Sequence, residues 1–215
     1  PVSFNKQRGV FQSLQTLEFV SLVGSGAGAI GVKNAIFCNG ANMAYKREVF
    51  LELNSFEDDS VASGDDVFIL HAVKEKYPNS IAFAKDKDAI VLARSMQNCN
   101  DFINQRKRWV AKSSGYKDID SIYVSYLVLC TNFSLLFLFF IIFFDTSFIH
   151  FFISFYLLKF SSDLFLLLPL LGFFKRRDLI KWIFPFELVY SFYIILIAVL
   201  SFTKKFEWKE RIHNK

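Results

Sequence analysis

The chain has 215 residues, of which 53% are hydrophobic and 18% aromatic, with a formal charge of +5. That is more apolar than an ordinary soluble domain, which excludes a solvated or disordered chain and favours a membrane protein. The positive charge does not point to nucleic acid, because the basic residues gather at the edges of apolar runs, as in Lys175-Arg176-Arg177 and Lys204-Lys205.

The first 120 or so residues read as a soluble α/β domain and the remainder as lipid-facing sequence. From Leu14 to Val23 apolar residues recur at helical spacing, and Gly24-Ser25-Gly26-Ala27-Gly28 then predicts a mobile loop. Ala35 to Cys38 predicts a short buried strand, Asn39-Gly40 a turn, and Lys46 to Leu53 a helix that ends before the acidic Glu57-Asp58-Asp59. Ser63 is placed to cap a helix running to about Tyr77, where Pro78 and Asn79 stop it. Ile81 to Ala84 and Ala89 to Ala93 suit strands, and Asp101 to about Ser113 suits a helix. Alternating helices and short apolar strands favour α/β layers, with too few strands for a complete domain. Since the chain starts at Pro1, we read it as part of a longer one.

After Asp120 three apolar runs, 122–144, 148–174 and 179–202, reach the length of about 20 residues that a membrane span requires. Lys159, Ser161, Ser162 and Asp163 interrupt the second, which suits either one tilted span or two interfacial pieces. Basic residues from Arg106 to Lys117 and at Lys175 to Arg177 predict a cytoplasmic soluble domain. A third crossing would put the basic 204–215 tail outside, so either the charge rule fails there or one run does not cross. Cys38, Cys99 and Cys130 lack metal-ligand spacing and read as reduced thiols, and His71, His150 and His213 have no neighbours at ligand spacing.

Three groups of residues carry chemistry. Asp66, beside Asp65, falls in the first turn after Ser63 and in register with Ile69, Leu70, Val73 and Tyr77. A carboxylate on that apolar face must be paired or line a cleft; the alternative is a serine cap with acids that complement the helix dipole. In Gln105-Arg106-Lys107-Arg108-Trp109, the amide, guanidinium and indole of Gln105, Arg108 and Trp109 share one helix face. They suit a sugar phosphate, with the Arg fork on phosphate oxygens and the indole on a sugar ring, or else a juxtamembrane anchor. Phe37-Cys38-Asn39-Gly40-Ala41-Asn42 ends a predicted strand, where substrate contacts or a plain turn would sit.

In this order and spacing the motifs resemble those of the membrane-bound family 2 glycosyltransferases, the group of cellulose, chitin and hyaluronan synthases and many bacterial cell-surface polysaccharide enzymes. Phe37 to Asn42 looks like the family's acceptor-site segment, Asp65-Asp66 like its acidic pair, and Gln105 to Trp109 like its Gln-x-x-Arg-Trp signature. Trp208-Lys209-Glu210-Arg211 resembles a Trp-Lys-Gly-Arg ending. Asp65 stands where Glu is common, and Glu210 where glycine is expected.

The resemblance implies that residues 1–120 are the C-terminal half of a GT-A type catalytic domain, followed by transmembrane helices, at the inner membrane. It implies sugar transfer, with inversion, from a nucleotide-diphosphate sugar to a glycan or lipid-linked acceptor. Asp66 would be the base, with Asp65 beside it. Arg108 would stabilise the departing diphosphate, and Gln105 and Trp109 would hold the acceptor. Cys38, Asn39, Gly40, Asn42 and Arg106 complete the expected substrate contacts. A divalent cation, Mg or Mn, is expected, with no ligands for it in this chain, since the family places its Asp-x-Asp metal motif upstream of the acceptor-site segment and no aspartate precedes Phe37 here. The alternatives are a non-catalytic membrane scaffold or transporter subunit, or an inactive transferase-like fragment. A nucleic-acid partner is not expected.

Overall fold

A computed structural model of the chain describes residues 1–6, 9–53, 65–201, 205–208 and 211–214, with no account of the side chains of Asp65 or of the residues after Ser201. Strand β1 (Val2–Phe4) pairs in parallel with β2 (Val91–Ala93), in the register Val2 to Val91 and Phe4 to Ala93. Parallel neighbours need a long crossover. Here it contains helices α1 (Val10–Gly31), α2 (Arg47–Leu53) and α3 (Asp65–Lys76). Phe4 stacks on Phe19 of α1 at 4.3 Å between ring centroids, and with Val2 they form a small core against which Trp109 packs.

Helix α1 runs straight through Gly24 to Gly28, which corrects the predicted loop. Glycine costs a helix about 1 kcal/mol per residue against alanine, but close packing requires it here. A Cβ on Gly24 would lie 2.0 Å from Leu170 Cδ1, and one on Gly26 3.0 Å from the Phe37 ring. Leu17 and Val20 of α1 are fully buried with Leu167, Leu171, Leu179 and Ile183 in the main core.

Two predicted strands do not form. Ala35 to Cys38 joins no ladder among the described residues, and the Ile36 carbonyl is taken instead by the Ser121 hydroxyl, at 2.9 Å, and lies 2.9 Å from His71 Nε2. Residues 81–84 likewise have no partner strand among the described residues. The described part is therefore mainly helical with a small sheet.

Helix α4 (Cys99–Ser113) begins earlier than predicted because Asn98 caps it, its side chain accepting from Asp101 N–H at 2.9 Å. Next come α5 (Ile119–Ile141), α6 (Ile149–Phe173) and α7 (Ile180–Ser201). All three are long and apolar enough to cross a membrane. They leave large side chains such as Phe137, Phe140, Phe151 and Phe165 exposed, an apolar surface that a lipid environment would cover. Helix α6 is continuous through Lys159, Ser162 and Asp163, so the second run is one helix and not two pieces. Lys159 pairs there with Asp163 at 2.6 Å and with Glu187 of α7. Ser191 of α7 donates to Asn132 of α5 at 2.9 Å. A terminal hairpin, β3 (Lys205–Trp208) and β4 (Arg211–Asn214), lies with β3 against α4.

Candidate functional site

Asp66 stands at the start of α3, where helix N–H groups are not used within the helix. Its Oδ1 accepts from the Val67 N–H at 3.0 Å, the local arrangement expected of an acid at a helix start. Two further contacts come from distant segments. The Gly40 N–H donates to Oδ2 at 2.9 Å, and Lys112 Nζ on α4 lies 3.1 Å from Oδ1. The side chain remains 24% exposed, so the carboxylate is held from three directions and still reaches solvent. Ser63, its expected cap, lies outside the described residues.

The 37–42 segment is shaped to bring Gly40 to this carboxylate. Asn39 Oδ1 accepts from the Ala41 N–H at 3.0 Å and caps a 3-10 turn over Gly40–Asn42. Asn42 Nδ2 donates to the carbonyls of Pro1, at 2.9 Å, and Ala89, at 2.8 Å, which ties the turn to the starts of both parallel strands. Cys38 Sγ donates to the Asp66 main-chain carbonyl at 3.3 Å. Burial, and then the Asp66 charge, push its thiol up to about 12 against the opposing pull of Lys112. Cys38 and Gly40 thus touch Asp66, while the Asn39 and Asn42 side chains bond within the scaffold.

The predicted Gln105 to Trp109 stretch is divided between two sides of α4. Arg108 and Lys112, one turn apart, are on the Asp66 side. Burial lowers the Arg108 guanidinium from its ordinary value, and the Asp66 charge works against that shift. Arg106 instead turns inward against α1 and α7, where it pairs with Glu18. Its guanidinium lies over the Trp109 ring, 4.1 Å from the centroid, and over Phe102, at 4.5 Å. Trp109 therefore joins the two sides: it packs on Val2, Phe4 and Phe19 and stacks on Arg106.

Tyr116 and Lys112 also belong to the site, though the sequence reading omitted them. The Tyr116 ring meets Phe68 at 5.7 Å and His71 at 5.1 Å, and burial followed by the Asp66 charge raises its hydroxyl. Lys112 carried a signal, since it stands at i+4 from Arg108 on one helix face. Tyr116 lies beyond α4 and no periodicity reached it. Among the described residues no three His, Cys, Asp or Glu side chains converge to hold a metal ion. Lys112 already meets the Asp66 carboxylate with positive charge, so a cation does not fit beside it among the described groups.

One family model, described as glycosyl transferase family group 2, matches residues 1–203. The chain belongs to this family. Neither the curated proteins nor the solved structures give a match. In this family 2 glycosyltransferase the match runs from β1 to the end of α7, and so takes in Asp66 and its partners, α4 and all three long apolar helices. The chain is thereby a transferase by family, with a role in glycosyl transfer, and its three long apolar helices suggest a membrane protein.

Proposed function

We propose that the protein is a hexosyltransferase of the inverting, GT-A type. It would transfer a sugar from a nucleotide-diphosphate donor to a glycan or lipid-linked acceptor in cell-surface polysaccharide synthesis. The observation that carries this reading is the meeting of Gly40, Asp66 and Lys112 from three separate segments at one solvent-reaching carboxylate. In the proposed step the acceptor hydroxyl oxygen attacks the anomeric carbon from the face opposite the diphosphate. A bond forms to that carbon, the bond to the diphosphate oxygen breaks, and the hydroxyl proton passes to Asp66. Base catalysis needs an oriented acceptor atom within hydrogen-bond reach. The Gly40 N–H and Lys112 supply the orientation, and the exposed part of the carboxylate leaves the approach open.

Charge builds on the departing diphosphate, and Arg108 is the group we assign to it, since a guanidinium fork matches phosphate oxygens. Gln105 and Trp109 are assigned to the acceptor sugar, by hydrogen bonding and stacking. Cys38, Asn39 and Asn42 hold the turn beside Asp66 in this reading, and Asp65 is assigned as the second acid of the pair. A divalent cation, if used, would draw ligands from outside the described residues.

The setting proposed is the inner membrane, crossed by α5 and α6, with Asp66 on the cytoplasmic side. The packing of β3 against α4 favours a basic tail on the same side as Asp66, with α7 not fully crossing. The test is nucleoside-diphosphate release from a panel of nucleotide sugars, by the full-length gene product in membranes, with and without acceptor. Acceptor-dependent release from at least one donor supports the reading. Absence of release across a broad panel favours a non-catalytic membrane role.

A further inference from the structure

Glu18 and Arg106 form a buried ion pair, with side chains 6% and 4% exposed. Arg106 Nε lies 2.9 Å and 3.2 Å from the two Glu18 oxygens, and Nη2 donates to Oε2. The Tyr193 hydroxyl on α7 donates to Glu18 Oε1 at 2.5 Å and accepts from Arg106 Nε at 3.1 Å. Burial alone would lower the guanidinium, but the Glu18 carboxylate and the Tyr193 hydroxyl outweigh it and hold Arg106 above its ordinary value.

Apolar side chains of similar volume would join α1, α4 and α7 about as well, because desolvation offsets much of a buried pair's attraction. What they would not supply is orientation. Arg106 Nη1 donates to Gln105 Oε1 at 2.6 Å. A guanidinium has donors only, so the Gln105 amide must turn its oxygen to Arg106. Its two N–H donors are then turned away from Arg106, and Gln105 itself stands at i−3 from Arg108, on the same face of α4. The same guanidinium plane fixes the Trp109 indole from one face.

We propose that Glu18 and Tyr193 are positioning residues for sugar transfer. Acting through Arg106, they set Gln105 as a hydrogen-bond donor and hold Trp109 in place. The acceptor chemistry this selects is a sugar that offers an oxygen lone pair to the Gln105 N–H beside a ring face for the indole. The inference rests on the assignment of Gln105 and Trp109 to the acceptor.

The experiment is steady-state transfer in membranes with acceptor and donor varied separately. Glu18→Gln leaves Arg106 buried without its counter-charge and can block folding, so Tyr193→Phe carries the test, since it removes one hydroxyl and keeps the ion pair. Losing one such hydrogen bond predicts an acceptor KM raised about fivefold, with donor KM unchanged. Trp109→Ala is measured alongside as the check on the acceptor assignment. An unchanged acceptor KM in Tyr193→Phe, with a raised one in Trp109→Ala, overturns the positioning role and leaves the acceptor assignment standing. A proportionate loss with donor and acceptor alike in Tyr193→Phe overturns it as a merely structural effect. An unchanged acceptor KM in both variants overturns the acceptor assignment and the inference with it.

Discussion

The Gly40 backbone N–H donates to the Asp66 carboxylate at 2.9 Å, joining residues 26 positions apart in the chain. Gly40 is also close in the steric sense: a Cβ there would lie 3.1 Å from Asp66 Oδ2 and 3.2 Å from its Cβ. Gly40→Ala must therefore displace the carboxylate or the turn. We expect transfer to fall about tenfold, because reaction geometry tolerates little misplacement, while membrane insertion is kept. Turnover at the wild-type rate in Gly40→Ala would show that this contact does not set the geometry.

Arg108→Lys keeps the charge and loses the planar fork. If Arg108 meets the departing diphosphate, kcat should fall by about tenfold or more, since the interaction grows as the bond to the diphosphate breaks. A change confined to acceptor KM would move Arg108 to the acceptor side.

Cys38 should resist thiol reagents. With its thiol pushed up to about 12, the thiolate fraction at pH 8 is about one part in 10⁴. Cys99 is exposed and should be labelled first by a maleimide at that pH. The Asp66 charge is one of the causes of the Cys38 shift, so Asp66→Asn should bring the thiol down and speed its labelling. Peptide mapping after timed labelling measures both; equal Cys38 rates in the two proteins would contradict their proximity.

Gly24 seats α1 against Leu170 of α6. Gly24→Ala should destabilise the protein by about 1–3 kcal/mol through overpacking, and Leu170→Ala in the same chain should recover part of that loss. Unfolding of the four proteins in detergent completes the cycle, and additive effects would exclude direct contact.

The three long apolar helices were legible in the sequence, because length and composition alone identify a helix of that kind. Gly24 to Gly28 was misread, since local glycine propensity lost to packing against residues far along the chain, Leu170 among them. The strand expected at Ala35 to Cys38 failed for a related reason: strand formation needs a partner, and the Ile36 carbonyl bonds Ser121 instead. At the site, Asp66 and the 37–42 segment were singled out separately, and nothing local indicated that they touch. The partner of Arg106 is Glu18, 88 positions away, and helical periodicity placed neither of them in a buried pair. Such contacts are set by tertiary packing.

In the proposed transfer step Asp66 takes the proton from the acceptor hydroxyl. The measurement that tests it most directly is sugar transfer by the full-length gene product in membranes, comparing wild type with Asp66→Asn, which preserves shape and removes the base. We predict that transfer is abolished while expression and membrane insertion persist. Undiminished transfer by the Asn variant would contradict the claim.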